Sequence, residues 1–211
     1  MKSLSIPALE ALVGSLGSPS KMPGFSYGLS AHDCIVGSLL RKVAGSTCSK
    51  CYALKGQYSF PVVRKAHAFR LASLSKPYWT AAITELIRRR TVKVPWFRLH
   101  DSGDIQSLDH LEKIVLVAKN LPKVKFWLPS RERAIVKEWL EKHPEGFPTN
   151  LCVRMSAPLI GRAPEKIAGT VGSSVDNPAA FQCKAPAQGN KCLKCRACWS
   201  NKVPEVSYHK H

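Results

Sequence analysis

The apolar residues between positions 60 and 157 change repeatedly from helical to extended spacing. In one window, Trp79, Ile83, Leu86 and Ile87 fall on one face at intervals of three and four residues. Proline near the first turn and serine just before an apolar run are typical of helix starts. The pattern predicts a short first helix at 6–13, further helices at 61–73, 77–90, 107–121 and 131–143, and strands at 94–100, 124–130 and 151–157.

The predicted strands recur at a spacing that suits βα units. The second and third begin about 26 to 29 residues after the strand before them, which leaves room for one helix between parallel neighbours. Crossovers between parallel strands are almost always right-handed, so successive units wind in one direction. The sequence therefore predicts an α/β fold, a compact or partial TIM-like (β/α) barrel with cysteine-rich segments at both ends.

The chain of 211 residues suits one domain with a sizeable core. Changes in composition divide that domain into four parts. We expect a cysteine-containing segment at 22–60, the βα core at 61–157, a Pro/Gly-rich linker or excursion at 158–182 and a cysteine-rich segment at 183–211.

Polar residues follow or end each of the three predicted strands. Because the carboxyl ends of parallel strands converge in α/β folds, we expect these side chains to line one pocket. Taken singly, each also suits a helix cap or a loop. Arginine suits a phosphate-bearing ligand through its bidentate fork, and Asp beside His suits acid–base chemistry. The candidate pocket residues are His100, Asp101, Asp104, Ser130, Arg131 and Arg154, of which all but Ser130 are also candidate catalytic residues.

The net charge is +18, from 32 Lys and Arg against 14 Asp and Glu. A charge of this size predicts salt-sensitive, sequence-independent attraction to phosphate polymers, so we expect DNA or RNA as partners. The alternative is a chain that is basic only because the proteome it comes from is basic. No run of apolar residues is long enough for a membrane span, and Glu10 interrupts the only stretch that resembles a signal peptide. These features predict a cytoplasmic protein that does not bind membranes.

The chain contains eight cysteines, and four of them lie within sixteen residues of the C-terminal segment. Cys183, Cys192, Cys195 and Cys198 form a C-x8-C-x2-C-x2-C pattern. Zinc sites commonly use two separated C-x2-C pairs, whereas a compact triple suits the separate iron corners of a [4Fe–4S] cluster. The pattern predicts a [4Fe–4S] cluster over the carboxyl ends of the strands, with zinc as the alternative. The basic neighbours would offset the cluster's negative charge, and Trp199 would shield it from solvent.

A second cysteine set consists of Cys34, Cys48 and Cys51. Three thiolates would leave one iron of a cluster open to another ligand. The alternatives are a redox pair of Cys48 and Cys51, or one cluster shared with the C-terminal cysteines. Cys152, inside a predicted strand, is expected to be a buried core thiol. The remaining histidines of the core segment, His67, His110 and His143, are expected on helix surfaces.

Several ordered motifs resemble a known family. GSTCSKCYALKGQYSFP, FRLHDSGDIQSLDHL, KFWLPSRE and the CRACW finish with its VSYHKH tail resemble the phage-encoded "gene product 88" proteins, from about Met22 to His211. The resemblance implies a viral accessory protein in the cytoplasm of an infected host cell. It also implies that seven cysteines belong to the family pattern: Cys34, Cys48, Cys51, Cys183, Cys192, Cys195 and Cys198.

The chain is also similar in outline to radical-SAM enzymes, which place a cluster at the mouth of a (β/α) barrel. It departs from them because it has no C-x3-C-x2-C motif and no glycine-rich SAM loop. Three functions remain open at this point. They are an iron–sulfur protein that acts as an enzyme on a phosphate-bearing or nucleic-acid substrate, a non-catalytic nucleic-acid-binding module stapled by a cluster or zinc, and a redox or electron-transfer protein.

Overall fold

The computed structural model describes residues 1–210; His211, the last residue of the expected C-terminal segment, lies outside the described residues. The helices are α1 Ile6–Val13, α2 Ile35–Leu40, α3 Pro61–Ser73, α4 Trp79–Arg90, α5 Leu108–Asn120 and α6 Arg133–Lys142. The strands are β1 Phe25–Tyr27, β2 Trp96–Leu99, β3 Lys125–Ser130, β4 Leu151–Ser156, β5 Val171–Val175, β6 Phe181–Gln182 and β7 Glu205–Tyr208.

The elements predicted from apolar spacing are confirmed, with ends that differ by about two residues or fewer. Their starts follow ordinary capping chemistry. Ser107 precedes α5 and its hydroxyl accepts a hydrogen bond from the backbone N–H of His110 at 3.1 Å. Ser5 caps α1 in the same way through Ala8, and Pro61 occupies the first position of α3. These local signals explain why the sequence predicted the elements between residues 61 and 156 closely.

The seven strands form one parallel sheet in the order β1-β2-β3-β4-β5-β7-β6. The order places β1 and β6 at opposite edges, so the sheet is open. The α/β fold and its parallel sheet are confirmed, and closure into a TIM-like barrel is not.

Three strands lie where the sequence indicated a linker or a tail. The interior strand β5 falls inside the expected linker at 158–182, and β7 uses part of the terminal motif. β5 reads Val-Gly-Ser-Ser-Val, which shows no apolar alternation. Its Gly172 has a packing reason, because a Cβ there would come within 2.6 Å of Pro164 Cγ. The segment 158–182 is therefore part of the sheet.

Alternation along the strands separates the two faces of the sheet. Phe97, Phe126 and Val153 point toward the helices and belong to the main core, together with residues of α1, α4, α5 and α6. Trp96 and Trp127 alternate with them and point the other way, into a second apolar cluster with Met22 and Trp199. The helices of the main core thus pack on one face, and the C-terminal segment lies on the opposite face.

The position of the C-terminal segment follows from strand order. The segment 183–204 connects β6 to β7, and this connection steps back toward the middle of the sheet. The connections through α5 and α6 step in the other direction. If all of these crossovers are right-handed, the backward step must cross the face opposite to the helices. Among residues 1–210, no helix has the length and apolarity needed to cross a membrane.

Candidate metal centre

The C-terminal cysteine segment is anchored on the sheet by one buried arginine. Arg154, on β4, is fully buried and donates only to carbonyl oxygens. Its Nε donates to Cys198 O at 2.9 Å, and its Nη1 donates to Gly172 O at 2.8 Å. Its Nη2 contacts the carbonyl oxygens of Ala197, Ser200 and Val203. Arg154 was a candidate catalytic residue, but it has no exposed surface for a substrate, and its position gives it a structural role.

The four C-terminal cysteines lie around one cavity. Cys183 directly follows β6, and its backbone N–H donates to Ser207 O, which continues the strand pairing into the segment. Cys192, Cys195 and Cys198 line the same cavity. All eight cysteines of the chain are free thiols. The four cysteines thus border the same cavity, and no disulfide joins them.

Aromatic rings cover the inner side of this cavity. Trp199 is buried, and its indole Nε1 donates to Phe97 O at 2.9 Å. Its ring meets Trp127 edge-on at 5.2 Å and Trp96 at 5.6 Å. Cys192 and Cys198 pack against this cluster. Trp199 therefore packs on the side of the cavity that Cys192 and Cys198 border.

Burial raises the pKa of two of the four thiols, Cys192 and Cys198, and cationic side chains act against this rise. Burial raises the pKa of Cys198 to about 11, although Tyr208, Arg154 and Arg98 act in the opposite direction. Burial and the neighbouring thiols Cys183 and Cys195 raise the pKa of Cys192. The hydroxyl of Tyr208 lies 3.3 Å from Cys198 Sγ. A metal that binds here would displace thiol protons, and its thiolates would meet positive charge.

The cysteines pack on the face of the sheet, and the expectation that they lie over the strand carboxyl ends is wrong. Cys198 contacts Tyr208 and the cluster of Trp127 and Trp199, whose side chains point away from the helices. The reason is the backward crossover from β6 to β7. Within residues 1–210, no three or more His, Cys, Asp or Glu side chains are arranged as a group that could hold a metal ion.

The N-terminal cysteine segment crosses the strand carboxyl ends instead. The hydroxyl of Tyr52 donates to Asp101 O beyond β2, and Thr47 N–H donates to Pro158 O beyond β4. Beyond β3, a carboxylate oxygen of Glu132 accepts from the backbone N–H of Val36 at 3.0 Å. Arg131 Nη2 donates to Thr47 Oγ1 at 2.5 Å. These contacts hold the segment across three strand ends.

Cys34, Cys48 and Cys51 lie close enough in this segment to influence one another's pKa values. A Cβ added at Gly37 would lie 3.5 Å from Cys34 Sγ and 3.7 Å from Cys48 Sγ, so glycine makes room for both sulfurs. Burial, and then the carboxylate of Asp104 and the other two thiols, raise the pKa of Cys34. Burial is also the main reason that the pKa of Cys48 is raised. The three thiols therefore form a second cysteine site, at the strand ends.

Asp104 organises the polar side of this second site. It is buried, and Oδ1 accepts from Ser130 Oγ at 2.6 Å while Oδ2 accepts from the backbone N–H of Arg131 at 2.8 Å. Burial raises its pKa, and these hydrogen bonds oppose the rise. Burial and Asp104 raise the pKa of Glu132 to about 7. The predicted residues Asp104, Ser130 and Arg131 are thus brought together with a carboxylate that was not among the candidates.

His100 lies between the sheet and the helices. It is 2% exposed, and its Nδ1 is 2.8 Å from Tyr27 O. Its ring lies 5.3 Å from the ring of His110. Burial lowers the pKa of His100 to about 4 and lowers that of His110 further below the usual histidine range. His67 and His110 are buried, so the expectation that they are helix-surface residues is wrong.

Asp101 stands apart from the Asp104 network. Its Oδ2 accepts from the hydroxyl of Tyr58 at 3.1 Å, and the ring of Tyr58 stacks on His67 at 6.1 Å. It is half-buried and so remains within reach of solvent. The predicted single pocket of His100, Asp101, Asp104, Arg131 and Arg154 is therefore spread over three places: the strand ends, the helix-side core and the opposite face.

Sequence reasoning passed over Glu132 and Tyr208 as site residues. Glu132 follows a polar strand end, which was a signal, but its contact with α2 spans 96 positions and has no sequence signature. Tyr208 sits in the VSYHKH motif, where alternating Val206 and Tyr208 were the only sign of a strand. Cys152 is buried in β4, as expected.

Comparisons with known proteins give a family and nothing beyond it. No curated protein and no solved structure matches the chain. The outline similarity to radical-SAM enzymes therefore has no support from them. The model of one family, described as Gene product 88, matches residues 8–201. Because this match covers more than nine tenths of the sequence, the chain belongs to the Gene product 88 family.

Proposed function

We propose that the chain is an iron–sulfur protein whose C-terminal cysteines, Cys183, Cys192, Cys195 and Cys198, bind a [4Fe–4S] cluster. The observation that carries the proposal is that these four free thiols line one cavity. The C-x2-C-x2-C spacing suits several iron corners better than it suits one tetrahedral zinc ion. A cluster bound here would supply one-electron transfer.

The electrostatics of the surroundings support this assignment. Arg154 is fully buried beneath the cysteine segment, and none of the ion pairs within residues 1–210 includes it. A buried cation without a carboxylate partner is costly unless other groups compensate it. Five carbonyl contacts compensate Arg154 in part, and a four-thiolate cluster beside Cys198 would add negative charge.

The second cysteine site supports an enzymatic role at the strand ends. Cys34, Cys48 and Cys51 would supply three thiolates beside Asp104, Arg131 and the raised-pKa carboxyl of Glu132. In α/β folds the carboxyl ends of the strands are the usual ligand site. We propose that a phosphate-bearing or nucleic-acid substrate would bind here, with Arg131 contacting its phosphate and Asp101 as a candidate acid–base group. A role in electron transfer alone would not need these polar groups.

The family resemblance supports a viral accessory protein that acts in the cytoplasm of an infected host cell. The alternative function is a non-catalytic, basic nucleic-acid-binding module in which a cluster or a zinc ion staples the C-terminal segment to the sheet. In that case the cysteines are needed for folding, nucleic-acid affinity falls steeply with rising salt, and substitution of Asp101 or His100 leaves that affinity unchanged.

Anaerobic purification tests the proposal. We expect a brown protein with visible absorbance, inorganic sulfide and iron in equal amounts, and a loss of both in Cys195→Ser. Cys152→Ser is the matched control, because Cys152 is a buried thiol outside both sets. A colourless protein with about one zinc per chain and no sulfide would exclude the cluster and leave the zinc-stapled module.

A further inference from the structure

One long stretch of the chain contains no carboxylate side chain. From residue 34 to residue 84 there is no Asp or Glu, although the same stretch holds eight Lys and Arg residues. It includes α2, the N-terminal cysteine segment and α3, and it adjoins the strand carboxyl ends. Positive charge of this density on one continuous segment attracts polyanions.

Six of these eight cations are exposed and take part in no ion pair found within residues 1–210: Lys42, Lys50, Lys55, Arg64, Lys65 and Lys76. The other two have structural contacts. Arg41 donates to Ala31 O at 3.0 Å, and the buried Arg70 donates to Gly28 O at 3.1 Å. By contrast, cations elsewhere, such as Arg133 and Lys137, pair with carboxylates. The six exposed cations are therefore available to a ligand.

Exposed apolar side chains concentrate in the same stretch. Among the residues that the structure describes, seven of the fourteen exposed large hydrophobic side chains lie between positions 35 and 69. Three of them are aromatic: Tyr52, Phe60 and Phe69, which are 46%, 53% and 45% exposed. Val62 is 72% exposed. Exposed apolar side chains that alternate along the chain with exposed cations are typical of a binding surface.

Ring contacts position Tyr52, and the buried face of α3 fixes the side chains on its exposed face. The ring of Tyr52 meets Tyr58 edge-on at 5.8 Å, and Tyr58 stacks on the buried His67. On α3, Val62, Lys65 and Phe69 follow the i, i+3, i+7 spacing of one helix face, and all three are exposed. Because the buried face of α3 carries His67, Arg70 and Ser73, the exposed face is fixed in orientation.

We infer that this surface, which we call the basic aromatic surface (Lys50, Tyr52, Lys55, Phe60, Val62, Arg64, Lys65 and Phe69), binds single-stranded nucleic acid. Lysine and arginine would track the phosphates while the rings of Tyr52, Phe60 and Phe69 stack on bases. A duplex offers no free base faces, so the exposed rings favour a single strand. The inference does not depend on the cluster, because no cysteine belongs to the surface.

Fluorescence anisotropy with a labelled single-stranded oligonucleotide of mixed sequence tests the inference. The double variant Phe60→Ala/Phe69→Ala should bind about ten-fold more weakly or worse, since each stacked base contributes substantially to affinity. The triple variant Lys55→Glu/Arg64→Glu/Lys65→Glu should bind more weakly still and should reduce the slope of log K against log salt by about 2. Circular dichroism confirms that each variant is folded.

Matched controls come from outside the surface. Lys93, Lys123 and Lys125 are exposed near the amino ends of β2 and β3, and their triple Glu variant should keep most of the affinity and a slope closer to that of the wild type. Leu116→Ala, at an exposed site on α5, controls for loss of apolar surface. Equal affinity for duplex of the same sequence, binding only to vesicles that contain phosphatidylserine, or wild-type affinity in the aromatic variant would overturn the inference.

Discussion

At the residue scale, Arg154 shows how one side chain can fix a whole segment. Its guanidinium contacts the carbonyl oxygens of Gly172 on β5 and of four residues between positions 197 and 203. Ala197 O and Ser200 O also accept backbone N–H groups, whereas the arginine is the donor that the structure shows for Cys198 O and Val203 O, which would otherwise be unpaired. The conformation around Cys198 therefore depends on a residue more than 40 positions earlier in the chain.

We predict that Arg154→Met destabilises the fold by about 3 kcal/mol or more, because it leaves the carbonyls of Cys198 and Val203 without a donor and removes one donor from the other contacted carbonyls. Urea unfolding followed by circular dichroism measures the change. Arg162→Met, at an exposed position, should stay within about 0.5 kcal/mol of the wild type. A loss below about 1 kcal/mol for Arg154→Met would show that the carbonyls find other partners.

The buried His100 predicts a specific pH dependence. Its pKa is about 4 in the folded chain, lowered by burial from an ordinary value near 6.5. Between these two pH values the unfolded chain binds the proton and the folded chain does not, so His100 makes stability fall as pH decreases from 6.5 toward 4. At pH 7 and above it has no such effect.

We therefore expect the wild type to lose about 2 kcal/mol more than His100→Gln when the pH is lowered from 7.5 to 4.5, measured by urea unfolding at both pH values. Comparing the two proteins cancels the contributions of Asp104 and Glu132, whose raised pKa values act in the opposite direction. His32→Gln, at an exposed site, should follow the wild type. Parallel pH curves for the wild type and His100→Gln would show that His100 is not buried and neutral.

At the element scale, the edge strand β1 depends on the close approach of Gly24 to the backbone of Trp96. Gly24 precedes β1 with φ +76°, and a Cβ there would lie 1.9 Å from Trp96 O. Both the left-handed backbone and the contact exclude a larger residue. This approach brings β1 alongside β2, and β1 leads into the segment that carries the first cysteine set.

We predict that Gly24→Ala lowers the free energy of unfolding by several kcal/mol, whereas Gly45→Ala costs about 1 kcal/mol. Gly45 has a similar φ of +74°, but nothing lies within 4 Å of its Cβ position. The comparison separates the steric contact from the backbone conformation, and thermal unfolding measures both variants. Similar losses in the two variants would contradict the steric explanation.

The helices and strands differ in how well they could be predicted from the sequence. α5 has apolar residues at helical spacing and a serine cap, and β3 has a run of buried apolar residues. Local signals were therefore sufficient to predict both elements. β5 and β7 lack these signals: β5 has Gly172, Ser173 and Ser174 at its centre, and β7 has only four residues. Gly172 leaves no room for a side chain against Pro164. The position of the C-terminal cysteines depends on β6 and β7. Because these strands were not predicted, the cysteines were expected over the strand carboxyl ends, whereas Cys192 and Cys198 pack against Trp127 and Trp199 on the face of the sheet.

At the scale of the whole molecule, different segments of the chain cover the two faces of the sheet and the carboxyl ends of its strands. The helices of the main core bury one face, the C-terminal cysteines cover part of the other, and the N-terminal cysteine segment crosses the strand ends. The sequence predicted the members of both cysteine sets. It could not predict their places, because contacts such as Arg154 with Cys198 and Glu132 with Val36 join distant parts of the chain.

The central claim is that the four C-terminal thiols hold several irons at once, and the mass of the intact protein tests it most directly. Native mass spectrometry of anaerobically purified protein should show the chain plus four irons and four sulfides, as a [4Fe–4S] cluster requires. The variant with Ser at positions 183, 192, 195 and 198 should lose that increment, and Cys152→Ser should keep it. A mass equal to the bare chain, or to the chain with a single zinc, would contradict the claim.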